Sequence, residues 1–149
     1  MKRFLGLSVL AFLLVGSLSC QSDEEIKRER YITEGILIYK NNCANCHQNK
    51  GEGVASLYPP LAGSDYLINK RDVYCLIRYG QQGPIVVNGK AYNRPMPPQP
   101  QLSDLEVAEL ITYIYSEWGG EKKLFDVKQI SPILEQCKDR PVLNNIAPN

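Results

Sequence analysis

The sequence predicts one all-α domain carrying a single small β-hairpin, and three observations point to it. Several stretches repeat apolar residues at helical spacing, and the clearest is bounded by Ser103 and Glu106 at its start and by Gly119-Gly120 at its end. Two short apolar runs flank Asn88-Gly89, the pair that supplies the positive φ angles of a two-residue hairpin turn. Cys43-Ala44-Asn45-Cys46-His47 closes the first helical pattern, so whatever chemistry it performs is mounted on a helix end. A length of 149 residues leaves room for one domain and a tail.

The chain opens with the pattern of an export signal. Met1-Lys2-Arg3 is a basic start, Phe4 to Val15 is apolar but too short for a comfortable membrane span, and Gly16-Ser17-Leu18-Ser19 precede Cys20. This stretch resembles a bacterial lipoprotein signal, in which the cysteine becomes the acylated first residue, although Ser17 stands where leucine is usual. Ordinary cleavage after Ser19, leaving a free thiol, is the alternative. Residues 1–19 are therefore read as the signal peptide, 20–30 as a lipidated N-terminus and tether, 31–120 as the domain, and 121–149 as a tail. The acidic run Asp23-Glu24-Glu25 resembles the export tag of some Bacteroidetes surface lipoproteins and equally suits the start of a helix.

Residues Glu24 to Asn42 form the first helix, with Ile32, Gly35, Ile36, Tyr39 and Cys43 on one face. Gly35 costs about 1 kcal/mol against alanine in a helix interior, which implies a close approach by another helix. The Gly- and Pro-rich stretch from Gln48 to Ser64 is a loop. A shorter helix runs from Lys70 to Tyr79, with Asn69 as a possible cap and Gly80 as its stop. Ile85 to Val87 and Lys90 to Tyr92 make the hairpin, and Asn93 to Pro100 are extended. Ser103 and Glu106 form a capping box for a helix whose face is Val107, Leu110, Ile111, Ile114 and Trp118. A last helical pattern covers Ile130 to Cys137.

Composition excludes nucleic acid as a partner. The chain holds 17 Lys+Arg against 16 Asp+Glu, and loss of Lys2 and Arg3 with a leader turns the balance slightly negative. Such a protein has no global field for a phosphate backbone.

The C-x-x-C-H motif puts two thiols and an imidazole on one side of a helical turn, the spacing of covalent haem attachment through Cys43 and Cys46 with His47 on the iron. A closed zinc site would need more ligands than one histidine and one C-x-x-C provide. A thioredoxin-like dithiol would need a βαβ context, and a local disulfide would leave His47 unexplained. His47 is the sole histidine, and once Met1 leaves with the leader Met96 is the remaining strong ligand for the sixth position. Arg94-Pro95-Met96-Pro97-Pro98 is a stiff extended loop suited to presenting a thioether; a core gap-filling role for Met96 is the alternative. Iron ligated by both residues has no open site for a substrate.

Together with "YPPLAGSDYL" from Tyr58, "VNGKAYNRPMPP" from Val87 and "LSDLEVAELITYIYSEWG" from Leu102, the motif resembles the class I monohaem c-type cytochromes over residues 32–119. The chain is similar to small Bacteroidetes-type cytochromes and to cytochrome domains fused to copper nitrite reductases. That resemblance implies a cytochrome c-like helical fold around one haem c, and Pro60 accepting the His47 ring proton while Leu61 packs on the porphyrin. It also implies a helix crossing between Gly35 and Tyr113 or Trp118. Tyr92, Arg94 and Trp118 are candidates for the haem propionates. Cys75 and Cys137, left over once the other cysteines are assigned, are expected to form a disulfide, with two buried free thiols as the alternative. The implied function is single-electron transfer in the respiratory chain by an exported protein, lipid-anchored on the periplasmic or cell-surface side of a membrane. Its partners would be redox proteins: a quinol-oxidising complex, a terminal oxidase or reductase, or a cupredoxin. Two rivals stand beside this carrier: a fixed subunit of a respiratory or nitrite-reducing complex, and a haem enzyme with an open iron.

Overall fold

A computed structural model describes residues 21–138. The leader, Cys20 and residues 139–149 lie outside the described residues, and with them the signal and lipidation expectations.

The first helix, α1, spans Asp23–Asn42. Ser22 caps it by accepting the Glu25 amide proton at 3.2 Å, and Asp23, Glu24 and Glu25 lie in the first turn, where negative charge suits the helix dipole. Because helix begins at Asp23, most of the expected tether is not a tether; Lys27 pairs with Asp126 and fastens this end to the body. The buried line of α1 is Tyr31, Gly35 and Tyr39. Ile32 and Ile36 sit beside it, half-buried, so the expected face is displaced by one residue at its start.

Four residues, Ala44–His47, form α2, and Asp65–Ile68 form a 3-10 turn just beyond the Gly- and Pro-rich loop, where no helical periodicity marks it. Next comes α3 at Lys70–Tyr79, with Gly80 at φ +76° as its stop. Strands β1 (Ile85–Val87) and β2 (Lys90–Tyr92) pair antiparallel, Val86 opposite Ala91. Asn88 and Gly89 hold φ of 51° and 73°, the two positive angles that this turn requires.

Helix α4 spans Asp104–Glu117 behind a complete capping box: Ser103 accepts from the Glu106 amide, and the Glu106 carboxylate accepts from the Ser103 amide. Its crossing with α1 organises the domain. A Cβ on Gly35 would stand 2.4 Å from the Glu109 carbonyl oxygen and 2.6 Å from the Tyr113 Cβ. The expected glycine crossing is thus made with Tyr113, while Trp118 packs over Gly51. Gly35→Ala gains about 1 kcal/mol in helix propensity but forces two backbones apart at a cost of about 3 kcal/mol. A net loss of about 2 kcal/mol is expected in urea melts of the holoprotein, and a neutral or stabilised variant would contradict the crossing.

Helix α5 covers Val127–Gln136 behind an Asp126 cap, starting earlier than its sequence pattern suggests. Phe125, Ile130 and Leu134 are buried in the same core as Tyr39, Leu110, Ile111 and Ile114. The segment from 121 to 138 is therefore an integral layer over α3 and α4 and not an appended tail. Cys75 of α3 and Cys137 at the end of α5 are joined by a disulfide with Cα atoms 5.5 Å apart. No helix among the described residues is long and apolar enough to cross a membrane.

Candidate cofactor site

The motif forms because α1 ends where it must. The Cys43 amide still donates to the Tyr39 carbonyl at 2.8 Å, and the next turn is closed by Cys46 and His47 amides donating to the Cys43 carbonyl at 3.1 and 2.9 Å. Gln48, at φ 63°, then turns the chain away, and the Tyr39 hydroxyl donates to its carbonyl at 2.6 Å. Burial, reinforced by Cys46, pushes the Cys43 thiol up to about 12; both cysteines are free and half-buried.

The His47 Nδ1 lies 3.0 Å from the Pro59 carbonyl oxygen. A carbonyl only accepts, so Nδ1 carries the proton and Nε2 is left with its lone pair. Burial lowers the imidazole's pKa, with the Pro59 bond opposing it, so the ring is held neutral, as a metal ligand must be. The acceptor is Pro59 and not Pro60. Successive carbonyls of an extended chain point to opposite sides, so only one of the two proline carbonyls can face the ring, while both prolines line the cleft.

Cys43 and His47 open onto a cleft of about 80 Å³. Its walls are apolar: Leu61 from the loop, Leu67 from the 3-10 turn, Val73, Leu76 and Ile77 from α3, Ile85 and Val87 from the hairpin, and Ile114 from α4. Met96 lines the same cleft. Its backbone is pinned by two hydrogen bonds with Gln81, each 2.9 Å. This close approach needs Gly80, where a Cβ would fall 2.6 Å from the Met96 carbonyl oxygen. Gly80 is legible in the sequence as a helix stop; its second duty is not.

Tyr92, Arg94 and Trp118, the candidates for the propionates, are not among the residues that line the cleft. The Tyr92 hydroxyl reaches the Ala55 carbonyl at 3.4 Å, Arg94 stacks over Tyr58, and Trp118 packs on Tyr39 and Tyr113 with ring centroids 5.0 and 5.4 Å away. The polar side chains on the cleft wall, besides His47, are Ser64 and Tyr66, which no sequence motif singles out. Among the described residues no group of three or more His, Cys, Asp or Glu is placed to hold a metal ion by itself. The donor set therefore suits a large, flat, apolar group fixed through two thiols and one imidazole: an attached haem fits, with the Met96 thioether available to its iron.

Residues 32–118 match the family model "Cytochrome c". A cytochrome c-552 of Thermus thermophilus is 36% identical over 129 residues, covering 83% of this chain and 77% of that protein. A second Thermus thermophilus cytochrome c-552 is 38% identical over 96 residues, 61% of this chain and 72% of its own length. The cytochrome c subunit of the quinone alcohol dehydrogenase of Gluconobacter oxydans is 35% identical over 89 residues, which is 58% of this chain and 18% of that subunit.

Proposed function

The chain belongs to the cytochrome c family, binds haem c covalently and transfers electrons; on that premise we propose that it is a lipid-anchored, single-haem carrier with His47 and Met96 as axial iron ligands. The observation that carries this reading is the His47 ring, its Nδ1 3.0 Å from the Pro59 carbonyl oxygen, beside an apolar cleft that Met96 also lines. The haem supplies a reversible one-electron change at iron. The chain supplies two thiols for attachment, two axial donors, and a wall that keeps water from the metal. With His47 and Met96 both holding the iron, a substrate would have nowhere to bind, and thioether ligation would hold the reduction potential above that of a bis-imidazole iron.

Replacing Met96 with alanine tests the ligand set. The ferric protein is expected to lose the weak far-red band of thioether ligation, to bind cyanide or carbon monoxide rapidly, and to drop in reduction potential. Unchanged spectra would mean that another group binds the iron.

Cys20, three residues before Asp23 in the sequence, is the proposed site of the anchor. Cys20→Ser is expected to shift the protein from the membrane to the soluble fraction, and an unaltered distribution would remove the lipid from this reading. Electrons would pass through brief, small-area encounters with quinol-oxidising complexes, terminal reductases or cupredoxins. The similarity to an alcohol dehydrogenase subunit favours one second reading, a fixed component of a larger redox assembly. Co-purification after mild detergent extraction separates the two.

A further inference from the structure

We propose that the turn at Gly53 is a positioning device for the His47 ring: it holds the Pro59 carbonyl on Nδ1 and so sets the reduction potential. The inference rests on His47 being an iron ligand.

Gly53 touches both ends of that hydrogen bond. Its amide donates to the His47 carbonyl at 2.9 Å, so it is tied to the backbone of the residue whose ring is being aimed. On its other side, a Cβ at position 53 would stand 2.5 Å from the Tyr58 oxygen and 2.8 Å from both the carbonyl carbon and oxygen of Pro59. These are backbone atoms and cannot rotate out of the way. The segment that carries them is clamped, since Val54 and Tyr58 exchange hydrogen bonds of 3.0 and 3.2 Å, and the Leu61 and Ala62 amides both donate to Gly51. Pro59 and Pro60 have fixed φ angles and cannot absorb the displacement locally. A side chain at 53 can be accommodated only by moving the Pro59 carbonyl, and that carbonyl is the acceptor for the His47 Nδ1 proton.

A ring N–H that donates to a carbonyl makes the opposite nitrogen a stronger donor to a metal. Stronger donation favours the ferric state. A lengthened bond after Gly53→Ala therefore favours the ferrous state, and the potential rises.

The measurement is a spectroelectrochemical titration of the holoprotein. Gly53→Ala should raise the ferrous-to-ferric ratio at a fixed applied potential by about tenfold, equivalent to 59 mV for one electron. The His47 ring proton of the ferrous form should also exchange faster with solvent. Gly53 has φ +69°, so strain from the left-handed backbone must be separated from displacement of the carbonyl. Gly120 provides the control: it has φ +69° and nothing within 4 Å of its would-be Cβ. Gly120→Ala should leave the potential where it was. A glycine inserted after Gly53 adds no side chain yet loosens the turn, so it should raise the potential even if Gly53→Ala fails to accumulate as holoprotein. An unchanged potential in either holoprotein variant at position 53, or an equal rise in Gly120→Ala, would overturn the proposal. A wrong assignment of His47 would instead show in the wild-type spectrum, before any variant is made.

Discussion

With Cys43 and Cys46 both replaced by alanine, the protein is expected to be recovered at the mass of its polypeptide alone, with no haem that resists extraction by acidified acetone. His47, Pro59 and Met96 remain in that variant, so loosely bound haem can still colour it; what disappears is the covalent fraction. A second loss follows from the fold. The cleft is walled by side chains of α3, α4, the hairpin and the loop, and no polar network would hold it open once empty. Left as an apolar void, its volume of about 80 Å³ would cost about 2 kcal/mol at about 24 cal/mol per Å³. That is a large share of the roughly 5–15 kcal/mol that stabilises an ordinary domain. Mass spectrometry after extraction and circular dichroism in urea check the two losses separately. A haem-mass adduct surviving in the variant would show that the attachment lies elsewhere, and an unshifted urea midpoint would show that the cleft is not part of the core.

What the sequence made legible divides along physical lines. Features set by neighbours in the chain were readable: the Ser103 capping box, the Asn88-Gly89 turn, the Gly80 stop and the thiol-thiol-imidazole turn each depend on a few consecutive residues. Features set by what a segment meets in space were read less well. Tyr31 and Ile32 are adjacent apolar residues about 100° apart on α1, and which of them is buried is decided by the surface that α4 presents. Pro59 and Pro60 differ only in the direction of a carbonyl, which side-chain identity does not encode. The helical pattern from Ile130 to Cys137 is readable through Pro132, but that Phe125, Ile130 and Leu134 join the main core is decided by what this segment packs against. Gly35 and Gly53 form the intermediate case. Gly35 reads as a costly helix residue in need of a reason, and Glu109 and Tyr113 supply it; Gly53 sits in a loop where glycine raises no question, and its contacts with Pro59 emerge only in three dimensions.

Substituting alanine for both Cys75 and Cys137 should cost about 4 kcal/mol, because the bridge spans 62 residues and restricts the unfolded chain accordingly. Alanine is the informative replacement, since both positions are buried and a serine hydroxyl there would add a desolvation cost unrelated to the crosslink. The loss bears on the cofactor as well as on the fold. Cys75 lies between Val73 and Leu76-Ile77, which line the cleft, while Cys137 ends the helix that lies over α3. Once unlinked, α5 is retained by the apolar contacts of Phe125, Ile130 and Leu134, by the Tyr79 hydroxyl donating to the Leu134 carbonyl at 3.2 Å, and by the Lys27–Asp126 pair. That pair is partly exposed and is worth little under physiological salt. Urea titration of the holoprotein should therefore show a lower midpoint together with a steeper slope, as the unlinked denatured chain exposes more surface. The same lower midpoint with an unchanged slope would place the effect in native packing instead of the unfolded state, and a loss below about 1 kcal/mol would mean that α5 is held by its apolar contacts without the bridge.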